Sequence, residues 1–295
     1  YCDDRDSRWH LCGYFLQDRL LMNAPTAENS TPTSSRASSS YYKSQYAIDV
    51  QNLTVGYGSN VLMQNLNFTV NNGEIFVILG GSGCGKSSLL KNLFGLYQPL
   101  SGDVLIEGQN ITTAQGAERQ HIMTSFGVMY QQGALFGSMN LLENVTLFMQ
   151  EYTQLTQTQM DLLARCKLDL VGLLPYESYM PSEISGGMQK RAAIARAMAL
   201  NPRILFLDEP SAGLDPITSA DLDQTIMDLS KNLGITFVIV SHELASIYAI
   251  ADKVIMLDKA AKGIIAEGDP KVLRDTSTDP RVHQFFNRIM SKDAA

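Results

Sequence analysis

Apolar and polar positions along the chain follow two patterns, which together predict a mixed α/β fold. Residues 47–55 and 65–70 alternate polar and apolar side chains, as half-buried antiparallel strands do. Residues 74–80, 204–210 and 235–242 instead contain continuous apolar runs of strand length, which predict strands buried on both faces. Helical patterns lie among these runs, so we expect a parallel sheet with helices packed on its faces.

Helical patterns also divide the chain into regions. Residues 87–96 (SSLLKNLFGL) predict a helix directly after the first buried strand. Residues from about 140 to 180 have the pattern of polar helices and lie between that strand and the next buried one. Their position predicts a helical subdomain at about 135–200, inserted into an α/β core. We expect the folded domain to span residues 46–290, with a short tail at 291–295.

A further amphipathic pattern lies near the C-terminal end. Asp279 and Pro280 are typical of a helix N-cap followed by the first helical position. The next segment carries apolar side chains at helical spacing, namely Val282, Phe285, Phe286 and Ile289. This apolar face either packs on its own domain or docks a partner, and the pattern is compatible with both.

The N-terminal segment shows none of these patterns. Residues 1–21 fit nothing downstream, and we expect Met22 to be the natural start, with 1–21 coming from an over-extended reading frame. Residues 26–44 are rich in Ser and Thr and poor in large apolar side chains, which favours disorder, with a transit peptide as the alternative. We therefore expect residues 1–45 to form an extension outside the fold.

Composition and charge narrow the classes of protein. Of 295 residues, 45% are hydrophobic and 18% are charged, which is typical of a globular chain. The net charge of -7 gives no electrostatic reason to expect a nucleic-acid partner. No apolar stretch approaches the roughly 20 residues of a membrane-spanning helix, so another chain would have to cross any membrane involved. The four cysteines lack metal-ligand spacing, which favours a reduced, intracellular protein.

A glycine-rich segment at 80–87 predicts a phosphate-binding loop. GGSGCGKS matches G-x-x-x-x-G-K-S/T and lies between a predicted strand and a predicted helix, as that pattern requires. The glycines let successive backbone N–H groups point into one anion-sized hollow, and Lys86 adds a positive charge for the β- and γ-phosphates. Ser87 offers its hydroxyl to Mg²⁺. Cys84 is either a small residue at an unconstrained position or a redox-sensitive thiol beside the phosphates.

An acidic pair ends the second buried strand. In ILFLDE, Asp208 can hold Mg²⁺, usually through water, and Glu209 can polarise a water molecule beside the γ-phosphate. Acidic pairs commonly end strands, so this assignment depends on the presence of Lys86. The loop and the acidic pair together predict a nucleotide-hydrolysing site.

A second anion site is predicted after the helical region. Ser185, Gly186 and Gly187 precede a strongly helical run that ends at 201–202. A hydroxyl and two glycines at a helix N-terminus suit an anion, yet one chain needs only one site for a γ-phosphate. We therefore expect this site to serve the nucleotide that another copy of the chain holds.

These motifs resemble those of the ATP-binding-cassette ATPases. The phosphate loop, Gln131, ISGGMQK at 184–190, ILFLDE, SAGLD at 211–215 and His242 occur in the family's order, over about residues 47–290. The resemblance implies an α/β P-loop NTPase with a RecA-like core, an antiparallel β subdomain and a helical subdomain. It also implies ATP and Mg²⁺ as cofactors, and a dimer in which two copies enclose two ATP molecules.

The resemblance implies roles for individual residues. Tyr57 matches the aromatic that stacks on adenine, with a turn aromatic as the alternative. Gln131 matches the residue that links Mg²⁺ and the attacking water to the membrane subunit, with Gln132 as the alternative. His242 matches the switch histidine that positions Glu209, with a capping or core histidine as the alternative. The catalytic residues that the resemblance implies are Gln131, Glu209 and His242, and the metal ligands are Ser87, Gln131 and Asp208. Asp215 lies in a loop that contacts the second copy. The implied nucleotide contacts are Tyr57, Gly80, Gly81, Ser82, Gly83, Cys84, Gly85, Lys86, Ser87, Ser88, Ser185, Gly186, Gly187 and Asp215.

A departure from the usual signature indicates a subgroup. Met188 stands where the signature usually has glutamine, and SGGM-x-KR resembles the ATPases of transporters that work with MCE-domain lipid-binding proteins. Segments 125–145, 208–223 and 279–288 share this resemblance, which is closest to Mla-type systems that move phospholipids between the two membranes of Gram-negative bacteria. It implies a permease subunit, an MCE subunit, a small STAS-domain subunit and a peripheral position at the cytoplasmic face of the inner membrane.

Three other functions share parts of this pattern. The main alternative is the ATPase of an importer for a polar small molecule. A clamp acting on nucleic acid or ribosomes would usually carry two cassettes or a long coiled-coil insertion, whereas the chain has one set of motifs and no sustained heptads. A P-loop kinase would lack both the signature and SAGLD.

Overall fold

The computed structural model describes residues 44–287, so the predictions for residues 1–43, for Ile289 and for the tail lie outside the described part. The strands are β1 (Tyr46–Tyr57), β2 (Asn60–Asn71), β3 (Ile75–Gly80), β4 (Ser101–Ile106), β5 (Gln109–Asn110), β6 (Phe126–Met129), β7 (Ile204–Asp208), β8 (Thr236–Val240), β9 (Lys253–Asp258) and β10 (Gly263–Gly268). The α-helices are α1 (Lys86–Leu93), α2 (Gly116–Thr124), α3 (Leu141–Tyr152), α4 (Gln157–Leu170), α5 (Gly186–Ala197), α6 (Pro216–Leu233), α7 (Leu244–Ile250), α8 (Pro270–Thr276) and α9 (Pro280–Asn287).

The antiparallel sheet has the order β2-β1-β4-β5. Strands β1 and β2 pair antiparallel, with Ile48 opposite Val70 and Val50 opposite Phe68, which confirms the prediction from their alternating patterns. The buried face of this sheet packs on the neighbouring core, where the Phe68 ring stacks on the Phe76 ring of β3 at a centroid distance of 5.4 Å. This sheet therefore covers one side of the strand that leads into the phosphate loop.

The central sheet has the order β10-β9-β3-β8-β7-β6, and β9, β3, β8, β7 and β6 run parallel. Every residue of β3, β7 and β8 is buried, as the continuous apolar runs predicted. The carboxyl ends of parallel strands share one edge of a sheet, and ligands of open α/β sheets bind beyond that edge. The phosphate loop, Gln131, Glu209 and His242 each follow one of these strands, so the topology collects them at one place.

Five strands were not anticipated from the sequence patterns: β4, β5, β6, β9 and β10. The helix after the phosphate loop also ends earlier than predicted, at Leu93 instead of residue 96. Its end is explained by Gly95, whose φ of 72° is a left-handed conformation that terminates helices and favours glycine. The helical start is at Lys86, directly inside the loop.

The region predicted as a helical subdomain, at about 135–200, contains α3, α4, two short 3-10 helices (Leu174–Tyr176 and Pro181–Glu183) and α5. Capping boxes begin α3 at Asn140 and α4 at Thr156. The buried faces of these helices join the same hydrophobic core as β7 and β8. The loop between Gln131 and α3 is therefore anchored on one side by the sheet and on the other by these helices.

The C-terminal helix α9 packs on its own chain. Asp279 accepts the backbone N–H of Arg281 at 2.8 Å, and Val282 and Phe286 are buried in the core. Phe285 is half-buried against the same core. Among the helices of residues 44–287, none is long and apolar enough to cross a bilayer.

Candidate functional site

A pocket of about 720 Å³ lies at the carboxyl edge of the central sheet. The phosphate loop, Glu209 and His242 contribute to its lining. Its lining residues are Leu62, Gly80, Gly81, Ser82, Gly83, Gly85, Lys86, Ser87, Ser88, Glu209, His242 and Phe285. The pocket thus combines N–H groups, hydroxyls, one ammonium group and one carboxylate, which suits a phosphorylated ligand.

The phosphate loop depends on its glycines at two kinds of position. Gly83 and Gly85 have φ values of 71° and 101°, where a side chain would strain the backbone. At Gly80, a Cβ atom would lie 2.5 Å from the carbonyl oxygen of Leu257 and 2.6 Å from Cys84 Sγ. Neither neighbour leaves room for a methyl group, so the loop can lie close to β9 only with glycine at position 80.

The ammonium group of Lys86 folds back over the loop. Its Nζ atom donates to the carbonyl oxygens of Gly80 and Gly81 at 2.9 Å and 3.0 Å. The first turn of α1 begins at this residue, so its unpaired N–H groups face the same pocket. Lys86 and the helix N-terminus therefore present positive charge to one volume.

Asp208 does not line the pocket itself but contacts Ser87, which does. The Ser87 hydroxyl donates to Asp208 Oδ1 at 3.1 Å, across 121 residues of sequence. Asp208 is buried, and burial raises the pKa of its carboxyl above the ordinary value, while the hydrogen bond from Ser87 opposes that shift. A hydroxyl and a carboxylate at hydrogen-bond distance are the oxygen donors that Mg²⁺ accepts together with substrate phosphates.

Glu209 is the centre of a three-residue cluster. Its Oε2 atom accepts from Gln131 Nε2 at 2.9 Å, and its Oε1 atom lies 3.2 Å from His242 Nδ1. The φ of Glu209 is 48°, a left-handed conformation that is strained for a residue with a side chain. Strain of this kind occurs where the surroundings hold a side chain in a functional position. The structure thus joins Gln131, and not its neighbour Gln132, to the carboxylate.

Tyr57 lies beside the loop with its ring half exposed. The Tyr57 hydroxyl and Ser88 Oγ are 2.9 Å apart, and the Tyr97 ring meets the Tyr57 ring edge-on at 5.7 Å. Two neighbours therefore orient an aromatic face next to the pocket. Cys84 is buried, and burial raises the pKa of its thiol, which disfavours the reactive thiolate.

Ser185 and Gly186 are exposed and do not line the pocket of their own chain. Ser185 is the N-cap of α5, and its Oγ accepts the N–H of Met188 at 3.3 Å. Gly187 is buried: a Cβ atom there would lie 2.2 Å from Thr218 Cγ2. Asp215 caps α6 and accepts the Thr218 hydroxyl at 2.5 Å, so the signature and the SAGLD loop contact each other through one threonine.

Three side chains that the motifs did not assign hold the loop after Gln131. Lys190 Nζ donates to the carbonyl oxygen of Gln131, and burial lowers the pKa of this ammonium group. Arg196 donates to the carbonyl oxygens of Gly133, at 3.0 Å, and of Ala134. Fully buried Asn144 accepts from Phe136 N at 2.8 Å and donates to Phe136 O at 3.1 Å. The sequence signal that could have identified these three residues is a charged or amide side chain among the apolar positions of a helix.

An apolar groove of about 460 Å³ opens next to this loop. Its lining includes the ring of Phe94 and half-exposed side chains of α2, α3 and the segment after β6, namely Met123, Phe148, Tyr152 and Tyr130. Arg196 reaches both the groove and the loop at 133–134. Exposed apolar surface of this kind is typical of a site that another molecule covers.

A family model described as ABC transporter matches residues 63–212, about half of the chain. The matched segment contains the phosphate loop, Gln131, the signature and the acidic pair. The chain belongs to the ABC transporter family. Its motifs and its strand order therefore describe an ATP-binding cassette, as the sequence resemblance implied.

Curated relatives extend the similarity of this cassette. A probable ribonucleotide transport ATP-binding protein, mkl, of Mycobacterium tuberculosis (strain ATCC 25618 / H37Rv) is 41% identical over 252 residues, covering 85% of this chain and 69% of the relative. The intermembrane phospholipid transport system ATP-binding protein MlaF of Escherichia coli (strain K12) is 38% identical over 242 residues, covering 82% of this chain and 89% of the relative.

Solved structures share the fold of the cassette. The structure of cbiO1 from Clostridium perfringens, part of an ABC transporter complex, superposes with a TM-score of 0.71 at 28% identity and covers 77% of this chain and 90% of its own. A dimeric post-hydrolysis structure of the cassette MJ0796, bound to ADP and Pi, gives a TM-score of 0.67 at 28% identity and covers 75% and 98%. The chain is an ATP-hydrolysing subunit of an ABC transporter, and it binds ATP.

Proposed function

We propose that the cassette powers phospholipid transport between the inner and outer membranes of a Gram-negative bacterium. The observation that carries this proposal is the similarity to MlaF, which spans 82% of this chain and 89% of that relative. Met188 in the signature supports the same subgroup, because its SGGM-x-KR string resembles the ATPases that work with MCE-domain proteins. The ATPase activity follows from membership of the family, whereas phospholipid as the transported molecule is the proposal.

The hydrolytic residues of the proposal are Glu209, His242 and Gln131. Glu209 accepts a hydrogen bond from Gln131 and lies at hydrogen-bond distance from His242, so its carboxylate is held in one orientation. It can take a proton from a water molecule attacking the γ-phosphate. Lys86 turns from the loop carbonyls to the phosphates when nucleotide binds, because phosphate oxygens are stronger acceptors for an ammonium group. Tyr57 offers an aromatic face for adenine.

Ser87 and Asp208, which are hydrogen-bonded to each other, would hold Mg²⁺. Gln131, which donates to Glu209, is the third ligand that the family resemblance assigns. When bound, this ion supplies neutralisation of the charge that develops on the phosphates. Within residues 44–287, no group of three or more His, Cys, Asp or Glu side chains forms a site of its own, which agrees with an ion held jointly by protein and nucleotide.

The second copy of the chain completes each site in this proposal. Ser185 and Gly187 are the groups that the resemblance assigns to the other copy's γ-phosphate, and neither lines the pocket of its own chain. Ser185 and Gly186 are exposed at the N-terminus of α5, whereas Gly187 is buried, so the exposed side of this turn is the side open to the other copy. The side chain of Ile217, two residues after Asp215, is 77% exposed, an apolar surface that a second copy would cover. The dimeric structures of MJ0796 support this arrangement, since that cassette is similar over three quarters of this chain.

The membrane permease is the proposed occupant of the groove beside the loop at 131–139. Its half-exposed apolar side chains suit an inserted helix, and Arg196 connects the groove to the loop. Lys190 then connects the loop to the signature helix α5. Movement of a permease segment in the groove would therefore shift the loop that carries Gln131 and, through Lys190, the signature helix.

The proposed assembly also contains an MCE-domain subunit and a small STAS-domain subunit, at the cytoplasmic face of the inner membrane. To test it, the tagged full-length chain is purified from membranes of its own host, and partners and lipids are identified by mass spectrometry. Recovery of a permease, an MCE-domain protein and phospholipid supports the proposal. Recovery of a permease with a periplasmic solute-binding protein, and no MCE-domain protein, contradicts it.

A second candidate is an importer of a polar small molecule. It is favoured by mkl, whose name refers to ribonucleotide transport and which is 41% identical to this chain. The two candidates share the ATPase site and differ in cargo. Proteoliposomes containing the purified complex distinguish them, because ATP would drive transfer of labelled phospholipid in one case and uptake of labelled ribonucleotide in the other.

A further inference from the structure

The C-terminal helix α9 reaches the phosphate pocket, although none of the motifs places it there. Phe285 lines the pocket together with the loop, Glu209 and His242. Leu62 is the second large apolar side chain among its lining residues. The other groups around the pocket are backbone, hydroxyl, ammonium, imidazole or carboxylate, so Phe285 contributes a different surface chemistry.

Two sets of contacts fix α9 in this position. On one side, Arg281 Nη1 binds Asp258 Oδ1 at 2.7 Å, at the end of the strand whose Leu257 pairs with Gly80. On the other side, Tyr248 of α7 donates its hydroxyl to the carbonyl oxygen of Phe286 at 3.1 Å. The helix is thus tied to the strand beside the phosphate loop and to the helix that follows His242.

The ring of Phe285 packs against other aromatic rings of its own chain. Its ring meets the Phe286 ring edge-on at a centroid distance of 5.4 Å, and the Phe286 ring lies 5.9 Å from the Tyr248 ring. Phe286 and Val282 are buried in the core, whereas Phe285 is half-buried and borders the pocket. A row of packed rings therefore places the Phe285 side chain at the pocket.

We propose that Phe285 is a residue of the ATP site and that α9 supplies an apolar wall to the pocket. This inference rests on the proposed nucleotide site. An apolar wall beside Glu209 and His242 removes water from their surroundings, and charge interactions with a bound phosphate strengthen when water is excluded. Phe285 cannot bond a phosphate, so it acts by shaping and drying the pocket around the groups that do.

The test compares Phe285→Ala, Phe285→Leu and Val272→Ala in the full-length chain. Val272 lies on the adjacent helix α8 and is 54% exposed outside the pocket, so it controls for changes at this end of the domain. We expect Phe285→Ala to lower kcat/KM for MgATP by about three- to ten-fold, the size of a lost aromatic contact. Leucine at this position should recover most of the loss, and Val272→Ala should match the wild type.

Nucleotide binding is measured separately from folding. The rise in melting temperature caused by MgATP should be smaller in Phe285→Ala than in the wild type, whatever the stability of the nucleotide-free chain. The variant Phe285→Trp adds a direct reading: its fluorescence should change when MgATP binds, beyond any change in the wild type, whose single tryptophan is Trp9.

Three results would overturn the inference. One is an unchanged kcat/KM together with an unchanged MgATP-induced rise in melting temperature. Another is loss of stability alone, with nucleotide binding intact, which would make Phe285 a packing residue only. The third is loss of the ATP-dependent dimer, measured by sedimentation, while the affinity for nucleotide is unchanged. Lys86→Ala tests the nucleotide site independently of Phe285. Normal ATP binding by Lys86→Ala would refute the nucleotide site itself.

Discussion

Replacing Asp208 by asparagine should make the nucleotide-free protein more stable and at the same time abolish its Mg²⁺-dependent hydrolysis. Asp208 is 9% exposed, and burial raises the pKa of its carboxyl, so the folded state holds the ionised form at a cost. Asparagine has the same shape without the charge, and its Oδ1 can still accept the Ser87 hydroxyl that Asp208 accepts at 3.1 Å. The substitution therefore removes the cost and keeps the contact.

The expected size follows from the environment of the carboxylate. A poorly compensated buried polar group costs about 1–3 kcal/mol in proteins, and Ser87, Lys91 and Lys86 offset part of that cost here. We expect the free energy of unfolding to rise by about 1 kcal/mol, which is a rise in melting temperature of about 2–4 °C for a domain of this size. The assay is thermal unfolding of the full-length chain at pH 7 with EDTA and without nucleotide.

The sign of the pH dependence provides a second check. Because the pKa of the carboxyl is raised in the folded state, folding favours the protonated form. The stability penalty is complete above the raised pKa and disappears below the ordinary pKa. The advantage of Asp208→Asn should therefore be full at neutral pH and shrink as the pH falls through the raised pKa toward the ordinary value near about 4. Asp221→Asn, at an exposed position of α6, is the control and should change little. A lower melting temperature for Asp208→Asn than for the wild type at pH 7 would show that the Asp208 carboxylate stabilises the nucleotide-free fold.

Three further substitutions test other parts of the site. Glu209→Gln should reduce kcat by about 10²- to 10⁴-fold with ATP binding retained, because the amide cannot accept the proton; a normal rate of phosphate release would exclude Glu209 as the base. Gly187→Ala places a Cβ atom 2.2 Å from Thr218 Cγ2 and should disturb the Thr218–Asp215 bond. We expect about a tenfold loss of ATPase activity, whereas Gly263→Ala, with nearest contacts of 3.7 Å, should match the wild type; equal activities would contradict the packing argument. Met123→Glu puts a charge in the apolar groove and should prevent co-purification of the permease while MgATP still raises the melting temperature; Val272→Glu is the control, and retained permease would argue against the groove as the docking site.

The elements that could be predicted are those whose sequence pattern depends only on neighbouring residues of the chain. Strands β3, β7 and β8 are buried throughout, so their continuous apolar runs identified them without tertiary information. Strand β6 has four residues, one of them Gly127, and glycine usually disfavours a strand. Here it is required, because a Cβ atom would lie 2.1 Å from the carbonyl oxygen of Ala197 on the helix side. That reason exists only in the folded molecule.

The same distinction holds for the site. The phosphate loop, Glu209 and His242 could be assigned from motifs, since each motif follows a strand and the strands end at one edge. Lys190 and Arg196 could not, because their partners in the loop at 131–134 lie about sixty residues away in sequence. Phe285 was recognised as part of an amphipathic face, but the side of that face that meets the pocket depends on the contact between Arg281 and Asp258.

In the proposed dimer, each ATP lies between the phosphate loop of one copy and the signature of the other. Mixing Lys86→Ala chains with Ser185→Arg chains tests it, because only a shared site can combine the intact loop of one chain with the intact signature of the other. A symmetric dimer predicts that equal mixing restores about a quarter of the wild-type sites, whereas each variant alone is inactive. If the ATPase activity of the mixture is no greater than that of the two variants measured separately, the two copies do not share an ATP site.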